Sequence, residues 1–388
     1  MTAPGNGGRC TSSDGGNAVV IRAAAVLGLV WFGDALIYVV MPLHAPAFGI
    51  GLGAVGVVLS LNRIVRILGY GWVTALSHRL GMRTVTAAAA LGAALSTLAY
   101  GLTFGLVPLL LARLVWGLAY GILNVTTTAY AIGDGQATGR RVGLNRAVST
   151  SGAAFALSVG AWLALSVGPR GVFVLLGAAG LLAVPLALTL PRGSAAAHGD
   201  APGLVHTRWR PSSLNVLFFT TAVVDGAFAT TLSLLFAGTL SATSALLTAG
   251  LLLALQRVVV VVLSLVAGPL IDRLGARRLL VPCVVVVVAG LLGIAHGALY
   301  AGAIVVVVAR AFLSSVGPVL ATQERSGSIV ERLAAFATWV DSGLAVGPLV
   351  AGVATARLGT PALYQALAAA IATALTVHLI ARRRSRLT

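Results

Sequence analysis

The chain has 388 residues, of which 58% are hydrophobic and 9% charged, and its mean hydropathy is +0.99. A soluble domain carries about 25% charged residues, so this chain cannot cover its surface with polar groups and its solvent is lipid. The net charge of +17 comes from 26 basic residues, all Arg, scattered singly or in small groups between apolar runs, a distribution that argues against a nucleic-acid-binding face or tail.

Residues 1–18 are polar and rich in Gly and Ser, and are expected to form a disordered tail. A bilayer-crossing helix needs ~20 apolar residues. Twelve such runs follow, near 20–42, 50–75, 84–104, 106–131, 144–167, 171–190, 213–239, 244–269, 279–299, 302–322, 333–356 and 361–381. None shows the ~10-residue alternation of a barrel strand. The expected fold is therefore an all-α membrane protein. It has one six-helix bundle over 19–190, a polar linker over 191–212, a second bundle over 213–381 and a basic tail over 382–388.

Arginine bias orients the chain. With the N-terminus cytoplasmic, eighteen arginines fall in cytoplasmic segments and only Arg170 and Arg357 outside, so both termini are expected in the cytoplasm. Cys10 lies in the polar tail and Cys283 in an apolar run; neither a disulfide nor a metal site is expected. His44, His198, His206, His296 and His378 lack metal spacing. No phosphate-cradling Gly-rich loop and no nucleophile-base pair is present, so neither ATP-driven pumping nor catalysis is expected. A membrane-embedded enzyme or structural protein is the remote alternative.

The chain repeats itself. The stretch Gly268-Pro-Leu-Ile-Asp272-Arg273-Leu-Gly275-Ala-Arg277-Arg278 has a weaker copy in Ser77-His78-Arg79-Leu80-Gly81-Met82-Arg83, offset by 272 − 78 = 194. In the copy, Thr74 stands at the first Gly and His78 at the Asp. Within the spans, Arg63 corresponds to Arg257 (257 − 63 = 194), Asp34 to Asp225 (225 − 34 = 191) and Arg113 to Arg310 (310 − 113 = 197).

The pattern G-x-x-x-D-R-x-G-x-[RK] at Gly268 resembles the signature loop of the major facilitator superfamily. Arg113-Leu-Val-Trp116-Gly117-Leu-Ala-Tyr-Gly121 is similar to the superfamily's R-x-x-x-G-x-x-x-G element. Gly343-Leu-Ala-Val-Gly347-Pro348 looks like the Gly-Pro element of its proton-driven exporters, here in run eleven instead of run five. Run five has Gly152, Ala156 and Gly160, a face suited to close helix packing. The resemblance implies two six-span repeats with a substrate bound between them near the midplane. It further implies a secondary transporter of a small organic molecule, working by alternating access and driven by proton antiport as an exporter. Such a protein acts as a multi-pass monomer in a bacterial inner membrane and needs no cofactor.

A charge at a span centre costs ~2.5–3.5 kcal/mol and needs a partner or a wet cavity. Asp34 lies roughly 12 Å from the outer end of run one and Arg113 roughly 10 Å from that of run four, at 1.5 Å per residue. The two are expected to meet and, by resemblance to proton-coupled exporters, to exchange protons; Asp225 and Arg310 are their second-half counterparts. The alternative for each pair is a static bridge that fixes helices. Arg63 and Arg66 share one helix face. With Arg257 opposite, they are expected to bind an anionic group, which supports the alternative of an importer or exchanger of an organic anion using Arg63 and Arg257. Tyr38 and Trp116 are candidate substrate contacts or simple packing. Asp341 is expected to meet His78 as an inner latch. By resemblance, the gate comprises His78, Arg79, Gly81, Arg83, Gly268, Asp272, Arg273, Gly275 and Arg277, with Asp272 at the positive start of run five, close to Arg146.

Overall fold

The structure is a computed structural model that describes residues 11–133, 137–192, 211–237, 242–324 and 327–387. Much of the polar linker and residues 1–10, Cys10 included, lie outside the described residues. The described chain is helical, without a strand. The helices are α1 (Thr11–Leu43), α2 (Leu52–Leu80), α3 (Met82–Leu102) and α4 (Leu106–Ile132). The run Thr138–Gly180 breaks at Gly168 into α5 (138–167) and α6, which continues through Ala183–Leu188. Then come α7 (Ser213–Ala237), α8 (Ala242–Leu274), α9 (Ala276–Ala295) and α10 (Leu299–Thr322). The last run, Ile329–Leu387, breaks at Gly359 into α11 (329–358) and α12 (360–387).

Among the described residues, ten helices are long and apolar enough to cross a membrane by length and composition. The other two, α2 and α5, carry Arg63, Arg66 and Arg79, and Arg140, Arg141 and Arg146. Both exceed the ~20 residues that a bilayer crossing needs. Twelve spans in two sets of six result, as composition and periodicity lead one to expect.

The duplication extends to backbone torsions. Gly168 (φ 81, ψ 164) and Gly359 (φ 80, ψ 165) turn the chain between the fifth and sixth helix of each half, and 359 − 168 = 191. Gly81 (φ 80, ψ 146) and Gly275 (φ 86, ψ 135) do the same between the second and third. Only Gly takes these values without strain. The charged stretches Ser77–Leu80 and Gly268–Leu274 are helical to their ends, and each connection shrinks to one Gly. The expected hairpin loops are thus tight helix-Gly-helix corners, because the backbone bond Ile271 O to Gly275 N–H (2.8 Å) extends the helical ladder beyond the apolar run.

Within each half, the first helix crosses the fifth at glycine. A methyl group on Gly28 would lie 3.2 Å from the Val148 carbonyl, and one on Gly226 2.9 Å from that of Leu344. Small residues let helices approach where lipid removes the hydrophobic drive for association; Gly347-Pro348 belongs to this contact, packed on Gly226. The halves meet through α5 on α8 and α2 on α11. At the arginine-rich end, a methyl on Gly139 would come 2.6 Å from the Gly268 carbonyl and one on Gly268 2.8 Å from the Arg140 Cα, so the two halves are in backbone contact there.

Gly168→Ala should cost ~1–3 kcal/mol of stability through backbone strain alone, since a methyl there meets nothing within 4 Å. Gly359→Ala should cost the same. Equal drops in the thermal unfolding midpoint of the two variants in detergent check this.

Candidate functional site

Asp34 on α1 and Arg113 on α4 form an ion pair with no water to lean on: Arg113 is 0% exposed. Each of its three nitrogens has a partner. Nη1 binds Asp34 Oδ1 and reaches the Tyr100 hydroxyl at 3.4 Å, Nη2 donates to the Tyr38 hydroxyl at 3.1 Å, and Nε donates to the Val58 carbonyl at 3.2 Å. The Trp116 ring lies 5.8 Å from the guanidinium carbon. Trp116 and Tyr38, candidates for substrate contact, here help to solvate this arginine.

The same pair recurs in the second half, where Asp225 on α7 binds Arg310 on α10. Its setting differs. The Asp225 and Arg310 side chains are 27% and 12% exposed, and both line a cavity of about 400 Å³ between the halves. Arg310 Nε and Nη1 are buried and have no partner. Asp34 and Arg113 do not line that cavity.

A second buried acid joins the halves. Asp341 on α11 takes Arg66 Nη2 of α2 at 3.1 Å on Oδ1 and the Tyr70 hydroxyl at 2.6 Å on Oδ2. One turn away, Arg63 Nη1 donates to the Leu344 carbonyl at 3.0 Å. The Arg66 guanidinium also lies 4.8 Å from the centre of the Tyr120 ring. Arg63, Arg66 and Arg257 therefore do not converge: Arg66 is committed to Asp341, while Arg63 and Arg257 line the cavity with Arg146 of α5.

Asp272, at the end of α8, accepts the Gly139 and Arg140 N–H groups at 2.7 and 2.8 Å. These are orphan donors of the first turn of α5, in the opposite half, where the helix dipole also favours a negative charge. Arg146 lies deeper, in the cavity. His78, in the position that corresponds to Asp272, has no acid to offer; its Nε2 is buried without a partner and it does not reach Asp341. The start of α11 is satisfied from within instead. Ser328 Oγ accepts the Glu331 N–H and Glu331 accepts the Ser328 N–H, both at 3.2 Å. This reciprocal capping box was readable as Ser-x-x-Glu. Gly81 and Gly275 form the corners; Gly268 lets α8 meet α5; Arg79, Arg273 and Arg277 are exposed and Arg83 half-buried.

The sequence reading passed over three residues of this site. Tyr70 was legible as the residue one turn beyond Arg66 on the same face. Tyr100 carries no pattern that announces it. Arg146 was read only as a neighbour of Asp272.

No cluster of His, Cys, Asp and Glu that could hold a metal occurs among the described residues. Ser213 Oγ lies 2.9 Å from His378 Nδ1, but neither residue lines the cavity, so the arrangement there is not that of a nucleophile and its base. It offers instead ionisable pairs and free guanidinium groups around a cavity at the seam of two bundles.

Truncating one partner of a buried ion pair strands the other charge, at a cost of about 3–5 kcal/mol. Asp34→Ala should lower the unfolding midpoint by that measure, and Asp225→Ala by clearly less, because Arg310 can be hydrated from the cavity. Thermal unfolding of the two variants side by side checks the order.

A family profile described as Major Facilitator Superfamily matches residues 23–309. No curated protein matches the chain. Among solved structures, the chain is similar to the human organic anion transporter MFSD10 (TETRAN), with 18% identity and a TM-score of 0.74, over 93% of this chain and 99% of that one. The proton:xylose symporter XylE bound to 6-bromo-6-deoxy-D-glucose aligns with 15% identity and a TM-score of 0.73, over 93% and 94%. The E. coli fucose:proton symporter FucP aligns with 16% identity and a TM-score of 0.72, over 93% and 98%. At such identities the likeness is one of fold.

Proposed function

The chain belongs to the Major Facilitator Superfamily, and from that premise we propose that it couples protons to the outward movement of a small organic molecule. Its fold and family make it a multi-pass secondary transporter and not an enzyme. Proton coupling and export are the finer reading. The observation that carries it is the Asp225–Arg310 pair in the wall of the central cavity. Burial favours the neutral carboxylic acid and the neighbouring guanidinium favours the carboxylate. Rocking of one half on the other changes which influence dominates, so a proton can enter on one side and leave on the other. Asp34 with Arg113 forms a second, drier pair that supports the same role in the first half. The arginine-rich end is the cytoplasmic one on this reading, and the inner membrane of a bacterium the expected home. Closure of that end by α5 on α8, with Asp272 capping α5, then corresponds to a carrier turned outward.

A second reading is uptake or exchange of an organic anion. It is favoured by the excess of arginine over acid in the cavity wall: Arg63, Arg146, Arg257 and Arg310 face Asp225 and Asp341.

Proteoliposomes with an imposed pH gradient separate these. A compound found by screening small organic molecules should accumulate against its own gradient with the wild-type protein. Asp225→Asn should abolish that accumulation and retain one-for-one exchange of labelled for unlabelled compound. Accumulation that survives both Asp225→Asn and Asp34→Asn would sink proton coupling.

A further inference from the structure

Asp34 and Arg113 do not line the cavity, whereas Asp341, which joins the halves, does. A continuous contact links the two places. One face of α4 carries Arg113, Gly117 and Gly121 at intervals of four, and it docks on a face of α2 with the same interval. Arg113 Nε donates to the Val58 carbonyl at 3.2 Å. A methyl on Gly117 would lie 3.0 Å from the Asn62 carbonyl, and one on Gly121 3.4 Å from the Tyr70 ring and 3.8 Å from Arg66 Cγ. Val58 and Arg66 are eight residues apart, or roughly 12 Å at 1.5 Å per residue. The R-x-x-x-G-x-x-x-G element is thus the track on which α2 lies, and α2 carries both groups that hold Asp341.

Beside this stripe α4 carries an aromatic stack. The Trp116 and Tyr120 rings are inclined by 18° with centroids 5.1 Å apart. Each ring has a guanidinium next to it: that of Arg113 is 5.8 Å from Trp116, and that of Arg66 is 4.8 Å from Tyr120. One arginine is held by Asp34 and the other by Asp341. The surrounding contacts leave slack, since Trp116 Nε1, Asn62 Oδ1 and Arg66 Nε are buried without partners. Arg66 reaches Asp341 through Nη2, and the ring beside it helps to fix the direction of its charge. The groups that act on Asp34 are Arg113, with Tyr38 and Tyr100 on the same guanidinium, and at longer range Tyr120 and Arg257. Those that act on Asp341 are Arg66, Tyr70 and, at longer range, Tyr120.

We infer that Trp116 and Tyr120 are positioning residues that couple the charge of the sealed Asp34 to the Arg66–Asp341 contact between the halves. The inference rests on the proton-coupled reading and supplies a connection that reading needs. When Asp34 takes a proton it becomes neutral, and Arg113, which keeps its own charge, loses its counter-ion. That charge then falls on the Trp116 ring and the Val58 carbonyl. A shift of Trp116 carries Tyr120 with it, because the rings are stacked. Arg66 loses the ring that aims it, Asp341 loses Arg66, and the α2–α11 seam can part. Helix packing alone would use the same residues. The two accounts differ in whether a change at Asp34 is felt at Asp341.

Hydrogen–deuterium exchange on the full chain in detergent tests this, because it reports opening over minutes to hours. It is read at peptides covering 62–70 of α2 and 337–345 of α11. Asp34→Asn imitates the protonated acid and should speed exchange of the α11 peptide about fivefold or more, the lower end of couplings between distant sites. Tyr120→Leu and Trp116→Leu should each remove that response, and Tyr120→Phe, which keeps the ring, should retain it. Gly168→Ala strains the same half where a methyl meets nothing within 4 Å, and should leave the α11 peptide unchanged. Exchange at α11 that ignores Asp34→Asn overturns the coupling, as does a response that persists in Tyr120→Leu combined with Trp116→Leu. A response of equal size in Gly168→Ala overturns it too, since general loosening of the first half would then suffice. Proteoliposomes with an imposed pH gradient keep this apart from the proton-coupled reading. Accumulation that survives Asp34→Asn and Asp225→Asn, beside coupled exchange at α11, defeats proton coupling and leaves the stack its role. Accumulation that Asp34→Asn abolishes, with α11 exchange unaltered, does the reverse.

Discussion

A guanidinium inside a bilayer must find its counter-charge within the protein, and this need governs how the helices are set. Arg113 is enclosed completely, and its ring of Asp34, Tyr38, Tyr100 and the Val58 carbonyl draws α1, α2, α3 and α4 around one point. Arg310 gathers Asp225 of α7 in the same way but leaves two donors unused in the cavity wall. One repeated pair thus has two environments. The enclosed copy is sealed from the cavity, and the open copy lines it.

The seam between the halves is built from the same elements with a different outcome on each side. Where α2 meets α11, a carboxylate completes the contact, and Tyr70 donates its hydroxyl to the oxygen that Arg66 leaves free. Where α5 meets α8, glycines bring the backbones together and Asp272 caps a helix of the opposite half. The corresponding position in the first half is His78, which has no carboxylate to give a helix start, and α11 compensates with its own Ser328–Glu331 cap. Loss of symmetry at one corner is matched by a local change that keeps the orphan N–H groups satisfied. The two seams therefore differ in what opening them costs: one must break an ion pair, the other must withdraw a helix cap.

Much of this was legible beforehand because lipid imposes strict rules on sequence. Run lengths gave the number of spans, and the offset of about half the chain gave the duplication of Asp34 with Asp225 and Arg113 with Arg310. Depth along each helix was enough to pair Asp34 with Arg113, since helix rise is constant. What stayed out of reach was which face of each helix turns to which neighbour. Arg66 looked like a companion of Arg63 by spacing, yet faces an acid of the other half. Asp341 looked near enough to His78 by position along the helix, yet points to Arg66 and Tyr70.

Composition and period by themselves determined an all-helical membrane chain, two repeats of six spans, and a set of ionisable residues that had to be buried. These follow from one-dimensional quantities: hydropathy along a span, residues per turn, and the offset between copies. Only the tertiary structure decided that one Asp–Arg pair is sealed and its twin borders a cavity, and that Asp341 of one half takes Arg66 of the other. Those are properties of how two bundles rotate against each other, and rotation about a helix axis is set by packing among distant helices, which no local pattern encodes.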